Sequence, residues 1–343
     1  MARVVLVTGV SRYLGARAAN VMRSASGVER VIGVDSRPSR YALPGVEFVH
    51  VDPSDDTVGT VIRDSGADTV LHLNLVAHPE GAGESAGAAK ENNILGAMQV
   101  LAACQRSTAV SRIVLRSTAA VYGASSRDCD LHTEDSVAQG SRGRYGSSHA
   151  DDAIEVERHA RQLRRRRSDI AVAVLRFANF IGPAAETPLT RYLERAIVPT
   201  VLGHDPRMQF IHEDDAVEVI RRMALSTDGQ GGVFNVAAPG AMPLSQCLRR
   251  AGRPEMPVPE HGLRVLNSLT PGAGFGYSPE RLRTLCYGRV LDSSKLERAL
   301  GWRPSYTSQE AFDSYVAEQR YKGTAPARFI GNMTHRVRAA VSR

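Results

Sequence analysis

The chain has 343 residues, 43% of them apolar, enough for one large or two moderate packed domains. Its formal charge of +7 does not mark a nucleic-acid surface, because six of those charges lie in residues 320–343, a stretch without an acid. No apolar run approaches the roughly 20 residues of a membrane span, and Cys104, Cys129, Cys247 and Cys286 stand too far apart for a metal-ligand motif, so a cytoplasmic protein without a metal is expected.

Val4-Val5-Leu6-Val7 reads as a buried strand that breaks at Thr8-Gly9 into a helix through Leu14, Ala18, Val21 and Met22. A strand that turns at glycine into a helix aims backbone N–H groups and the positive helix end at one point, which suits a pyrophosphate. Gly9, Ser11, Arg12, Tyr13, Leu14 and Gly15 are therefore candidate dinucleotide contacts. A second strand, Val31 to Val34, ends in Asp35, twenty residues after Gly15, where a ribose-binding acid is expected. A third strand covers Val46 to Asp52, a helix Thr57 to Arg63, and a fourth strand Thr69 to Leu73. The Gly-, Ala- and Ser-rich stretch from His78 to Gly87 predicts a loop over that strand's C-terminal end.

A long helix through Asn93, Ala97, Val100 and Ala103 leads to a fifth strand, Arg112 to Arg116. Residues 124–144 show no period and predict a loop. Ala150 to Arg166 is helical, and its arginine-rich end suits a helix C-terminus. A strand from Ile170 to Leu175 completes an alternating βαβ pattern, the mark of a parallel sheet. Past residue 183 the regularity weakens. Short elements are expected at 189–196, 198–202, 214–225 and 233–236, a Pro- and Gly-dense region at 239–280, and helices at 293–300 and 308–320. The reading is an α/β protein with a Rossmann-type doubly wound parallel sheet over residues 1–183. A small C-terminal substrate-binding cap over 184–322 is interleaved with that core, and 323–343 is a basic tail.

Eight stretches in order resemble the extended short-chain dehydrogenase/reductases, the NAD-dependent epimerase/dehydratase family, across roughly residues 3–305. Thr8-Gly9 to Gly15 is similar to the TGxxGxxG turn, with Arg12 at the middle glycine. Val51-Asp52 resembles the family's adenine-contacting Asp, with Pro53 beside it. Leu71 to Ala77, including Leu73, Asn74 and Leu75, is similar to the strand end beside the nicotinamide ribose. Asn93 to Gly96 resembles NxxGT, and Ser117 to Gly123 resembles SSxxVYG. Arg176 to Pro183, with Phe177 and Asn179, resembles LRxxNxxGP. Phe210 to Asp215 resembles FIHVDD, and Ser294 to Pro304 the late SK…LGWxP.

The departures from the family pattern bear on chemistry. The resemblance implies an acid/base Tyr with a Lys four residues on, whose charge lowers the phenol pKa. One alignment sets Tyr145 and His149 at those positions; another sets Ser147 and Asp151 there. The chain's three lysines follow Ala86, Leu291 and Glu318 by four residues, so no Tyr–Lys pair of that spacing exists in the sequence. Thr118, at the family's Ser/Thr position, is expected to hydrogen-bond a substrate carbonyl, with Ser117, His149 and Tyr145 as further catalytic candidates. The family's diphosphate-binding Arg is Met208 here, and its RPGD motif is missing before Asp292.

Asp35 favours NAD(H), whereas Arg12, Ser36 and Arg37 suit a 2′-phosphate, and the balance is read toward NADP(H). The expected function is NAD(P)H-dependent reduction of a small-molecule ketone, with a proton from solvent or substrate. The atypical members that reduce aromatic polyketides of the angucyclinone type, in antibiotic biosynthesis, suggest that substrate class. The alternatives are a sugar-nucleotide epimerase or dehydratase, and a dinucleotide-binding sensor or scaffold without chemistry.

Overall fold

In β1 (Arg3–Thr8) the residues from Val5 on are buried, as expected of a strand covered on both faces. The computed structural model describes residues 3–52, 56–75, 86–125, 131–136, 138, 149–226, 229, 231–260, 262 and 279–324. Around β1 lies a seven-stranded sheet whose paired strands all run parallel. In chain order it uses β2 (Val28–Asp35), β3 (Glu47–His50), β4 (Thr69–His72), β5 (Arg112–Thr118) and β6 (Ala171–Phe177). The two-stranded units β7 (Asn179–Ile181) with β10 (Phe210–His212), and β8 (Val198–Val201) with β13 (Glu255–Val258), are also parallel. β9 (Arg207–Met208) and β12 (Met242–Pro243) pair antiparallel. The seventh strand of the main sheet, β11 (Gly232–Val236), enters beside β6, so the order is β3-β2-β1-β4-β5-β6-β11. That edge strand comes from the region read as cap in the sequence.

Helices cover both faces, as short parallel connections require. α1 (Tyr13–Arg23) and α6 (Glu213–Leu225) share one apolar layer with Val7, Leu71, Val114 and Leu175. α2 (Thr57–Ser65), α3 (Ala86–Arg106) and α4 (His149–Arg166) share the opposite layer with Leu6, Ile32, Val70, Ile113 and Leu115. The alternation of Ile113 and Leu115 with Val114 assigns each β5 side chain to one face. A third cluster joins α5 (Pro188–Leu193), α7 (Leu244–Ala251) and the last described helix, Ser308–Thr324, through Phe210, Leu248 and Phe312.

Three details differ from the sequence reading. Ala86 and Gly87 begin α3 rather than end a loop. The Pro- and Gly-dense region holds β12, α7 and β13, and Pro279–Tyr287 is helical. Within 124–144, His132 forms a bridge to Leu291, its carbonyl accepting from Asp292 N–H at 2.9 Å, and its ring is buried against Tyr122. No described helix is long and apolar enough to cross a membrane.

Candidate functional site

The C-terminal ends of β1, β2, β4 and β5 converge where the strand order reverses, the place where open α/β sheets hold ligands. At the end of β1 the chain turns at Gly9, whose φ of +81° lies in the left-handed region. α1 then returns so closely that a Cβ on Gly15 would stand 2.1 Å from the Gly9 carbonyl oxygen. Only glycine fits there, and the close approach brings the first turn of α1 onto the strand end. Arg12 replaces a glycine at no conformational cost, since its φ of −105° and ψ of 154° are ordinary extended values. Arg12 is the N-cap residue and gives the helix no side-chain cap, which leaves the first turn, with Tyr13 and Leu14, suited to an anion.

Asp35 faces this turn. Its carboxylate is buried and accepts from Ser11 N–H at 2.9 Å and from Arg37 N–H at 3.2 Å. Two main-chain donors thus fix one carboxylate beside the glycine turn. Ser36 presents its carbonyl to His50 Nε2 at 3.1 Å, and Val51 N–H donates to the Asp35 carbonyl at 3.0 Å, which places Asp52 at the same sheet edge. The Tyr13 hydroxyl accepts from Arg17 at 3.0 Å, and its ring meets Tyr41 and Phe180 edge-on. Burial pushes that phenol up to about 12.

β4 ends in a second polar knot. Thr8 Oγ1 accepts from Leu73 N–H at 3.2 Å and lies within hydrogen-bond distance, 2.9 Å, of His72 Nδ1. Burial lowers the His72 pKa to about 4 and keeps the ring neutral. Leu75 N–H donates to the Leu73 carbonyl, and the backbone of Asn74 packs against Gly9. Arg116 Nη1 donates to the Leu75 and Leu73 carbonyls at 3.3 and 3.5 Å.

At the end of β5, Ser117 and Thr118 point to opposite faces. The Ser117 hydroxyl donates to Glu157 of α4 at 2.6 Å, in a fully buried network. Glu157 also receives Arg176 Nε at 2.9 Å and Nη2 at 2.6 Å. Arg176 Nη1 donates to the Tyr122 hydroxyl, which donates to Asn235 Oδ1. Burial works against the Arg176 charge, but Glu157 outweighs it and holds the guanidinium pKa above its ordinary value. Thr118 is half-buried, and its Oγ1 accepts from Ala120 N–H at 3.2 Å. That bond uses one of the hydroxyl oxygen's two lone pairs and does not involve its hydrogen.

His149 opens α4, and the row that follows it at i+4 and i+8 holds Ala153 and Glu157. Ala153 is buried with Leu75, Ala119 and Tyr122. Asn93 donates to Asp152 at 3.1 Å, tying α3 to the first turn of α4. Phe177 is buried opposite Thr118 in the sheet register, and Asn179 donates to the Gln209 carbonyl. Pro53 and Tyr145 lie outside the described residues. Sequence reasoning missed Glu157 and Asn235, although strand alternation already set Ser117 on the face of Ile113 and Leu115. It also passed over Arg116.

With this geometry in place, the chain matches the NAD dependent epimerase/dehydratase family over residues 5–237. It is 42% identical over 329 residues to an uncharacterised protein of Mycobacterium tuberculosis strain H37Rv, covering 94% of this chain and 85% of that one. A UDP-glucose 4-epimerase of Corynebacterium glutamicum is 28% identical over 330 residues, covering 88% and 91%. Among solved structures, UDP-glucose 4-epimerase of Thermus thermophilus in complex with NAD superposes with a TM-score of 0.70 at 22% identity, covering 92% and 99%. UDP-glucuronic acid 4-epimerase of Bacillus cereus, with UDP-glucuronic acid and NAD, gives 0.71 at 16% identity, covering 93% and 99%.

Proposed function

The chain belongs to the NAD-dependent epimerase/dehydratase family, and from that premise we propose an NAD(H)-dependent oxidoreductase that interconverts a secondary alcohol and a ketone on a nucleotide-linked sugar. One observation carries the cofactor part: Gly15 has no room for a Cβ against the Gly9 carbonyl, beside an Asp35 carboxylate fixed by Ser11 N–H. These residues fit a dinucleotide: the first turn of α1 for the phosphates, Asp35 for a ribose diol. When bound, a nicotinamide supplies hydride exchange with the substrate carbon.

Fixation of Asp35 supports NAD(H) over the NADP(H) expected from Arg12 and Arg37. A 2′-phosphate would meet a carboxylate that two main-chain donors prevent from turning away. Thr118 is placed to donate its hydroxyl hydrogen to the substrate oxygen, since the bond from Ala120 N–H leaves that hydrogen unused. Ser117 is a support, committed to Glu157. The substrate class rests on the family and on the likeness to UDP-glucose 4-epimerase over most of both chains.

A second reading, reduction of an aromatic ketone, is favoured by the α4 row. His149 and Asp151, in the first turn of α4, stand where the two alignments put the lysine, and no tyrosine in the sequence has a lysine four residues later. Proton abstraction from a sugar alcohol needs a strong base, whereas ketone reduction accepts a proton from His149 or water. The deciding experiment offers the protein UDP- and dTDP-sugars with NAD+, and 4-keto sugars and quinone ketones with NADH, following dinucleotide absorbance and product. Turnover of sugar nucleotides supports the first reading, and turnover of quinone ketones alone supports the second. Binding of NADH without turnover of any substrate rejects both, in favour of a sensor.

A further inference from the structure

We propose that Glu213 is a positioning residue for the dinucleotide, holding the first turn of α1 in place through Tyr13 and Arg17. The inference rests on the cofactor reading above and adds a residue about 200 positions away in the chain. Glu213 opens α6 and stands where the FIHVDD pattern has valine. The fold accommodates the exchanged carboxylate in detail. Glu213 is only 4% exposed, and its two oxygens accept from Ala184 N–H at 3.2 and 3.3 Å. A Cβ on Gly182 would stand 2.5 Å from its carboxyl carbon, so the segment after β7 leaves this space to the acid.

Toward α1 the same carboxylate meets two partners. The Tyr13 hydroxyl donates to it, and Arg17 Nη1 lies 3.5 Å from Oε1. Arg17, one turn after Tyr13, also donates to the Tyr13 hydroxyl at 3.0 Å and to Asp214 at 2.8 Å. These bonds tie the first two turns of α1 to the first turn of α6 and to the segment after β7. Burial raises the Glu213 carboxyl pKa, while Tyr13, Arg17 and Ala184 N–H work the other way. Tyr13 is the first residue of α1, so holding it fixes where the unpaired N–H groups of that turn point. Charge alone predicts the opposite effect: a carboxylate near a phosphate site weakens binding, and its removal should strengthen it. The two accounts differ in sign.

Dissociation constants for NADH are measured by calorimetry on the full chain, Glu213→Gln, Tyr13→Phe and the double variant, with circular dichroism checking that each is folded. E213Q keeps the shape but turns one acceptor oxygen into a donor that faces Tyr13, Arg17 or Ala184 N–H. It should weaken NADH binding by on the order of tenfold, the scale of one hydrogen bond to a charged group. Y13F keeps the ring and should weaken binding by about threefold. The double variant should bind no worse than E213Q, because both changes cut the same link. Parent affinity or tighter binding in folded E213Q overturns the proposal, as does a double variant whose loss is the product of the single losses. A role confined to stability would lower the urea midpoint and leave the affinity of the folded protein at the parent value. Should E213Q not fold, Y13F carries the test, and parent affinity in it overturns the proposal. Failure of the parent chain to bind NADH would instead remove the cofactor reading on which this inference stands.

Discussion

Truncating Glu157 to alanine should destabilise the fold by about 3–5 kcal/mol, the usual cost of breaking a buried ion pair from one side. The structure explains why the cost should not fall below that range. The carboxylate is fully buried, and it accepts three hydrogen bonds of 2.6–2.9 Å from Ser117 and Arg176. Its removal leaves a guanidinium only 3% exposed, with the Tyr122 hydroxyl to answer it. The Ser117 hydroxyl loses its acceptor in the same step. Replacing both partners, as Glu157→Met with Arg176→Met, should return most of the loss, because no uncompensated charge then stays in the core.

Urea unfolding at neutral pH, followed by far-ultraviolet circular dichroism, measures these differences. A single variant within about 1 kcal/mol of the parent would show that water reaches the pair. A double variant as unstable as the single one would show that shape, rather than charge, is what the site demands. Either result refutes the electrostatic account of this network.

Gly15→Ala should abolish dinucleotide binding measured by NADH fluorescence while the protein stays folded, since the added Cβ must displace the Gly9 carbonyl or α1; unchanged binding would contradict the cradle. Thr118→Val should lower turnover about 10²-fold with NADH affinity preserved, and a variant with parent turnover would remove Thr118 from the chemistry. Asp35→Ser should raise affinity for NADP(H) relative to NAD(H) by at least about tenfold, read by calorimetry with each dinucleotide. For His72, burial holds the folded pKa near 4, below the ordinary 6.5, so the folded state binds fewer protons than the unfolded chain. Its contribution is therefore complete above pH 6.5 and decays as pH falls to 4, by up to about 3 kcal/mol. The acid limb of stability should be shallower in His72→Asn, as pH-dependent unfolding would show.

The parts of the site that local pattern controls were readable from residues alone. The β-branched run before Gly9, the helix period after it and the spacing to Asp35 are all short-range features, and the sheet pairs β1 with β2 accordingly. What escaped depends on partners far away in the chain. Ser117 stands beside Thr118 in the stretch that resembles SSxxVYG, yet the acceptor of its hydroxyl is 40 residues on in α4. His132 lies in a stretch without period and is held by Asn235 and Asp292, more than 100 residues later. β13 pairs with β8 although proline interrupts both, which local propensity penalises and edge pairing tolerates.

Alternation along β5 also bears on how this chain manages proton and charge with few lysines. Ser117 faces α4, where the buried Glu157–Arg176 pair fixes the helix that carries His149. Arg116 and Thr118 face the other way, one donating to the Leu75 carbonyl past the end of β4 and the other accepting from Ala120 N–H. Neither position that the family pattern gives its lysine on α4 holds one, since His149 and Asp151 stand there, and the polar groups the fold brings to this end of β5 are Thr118 and Arg116.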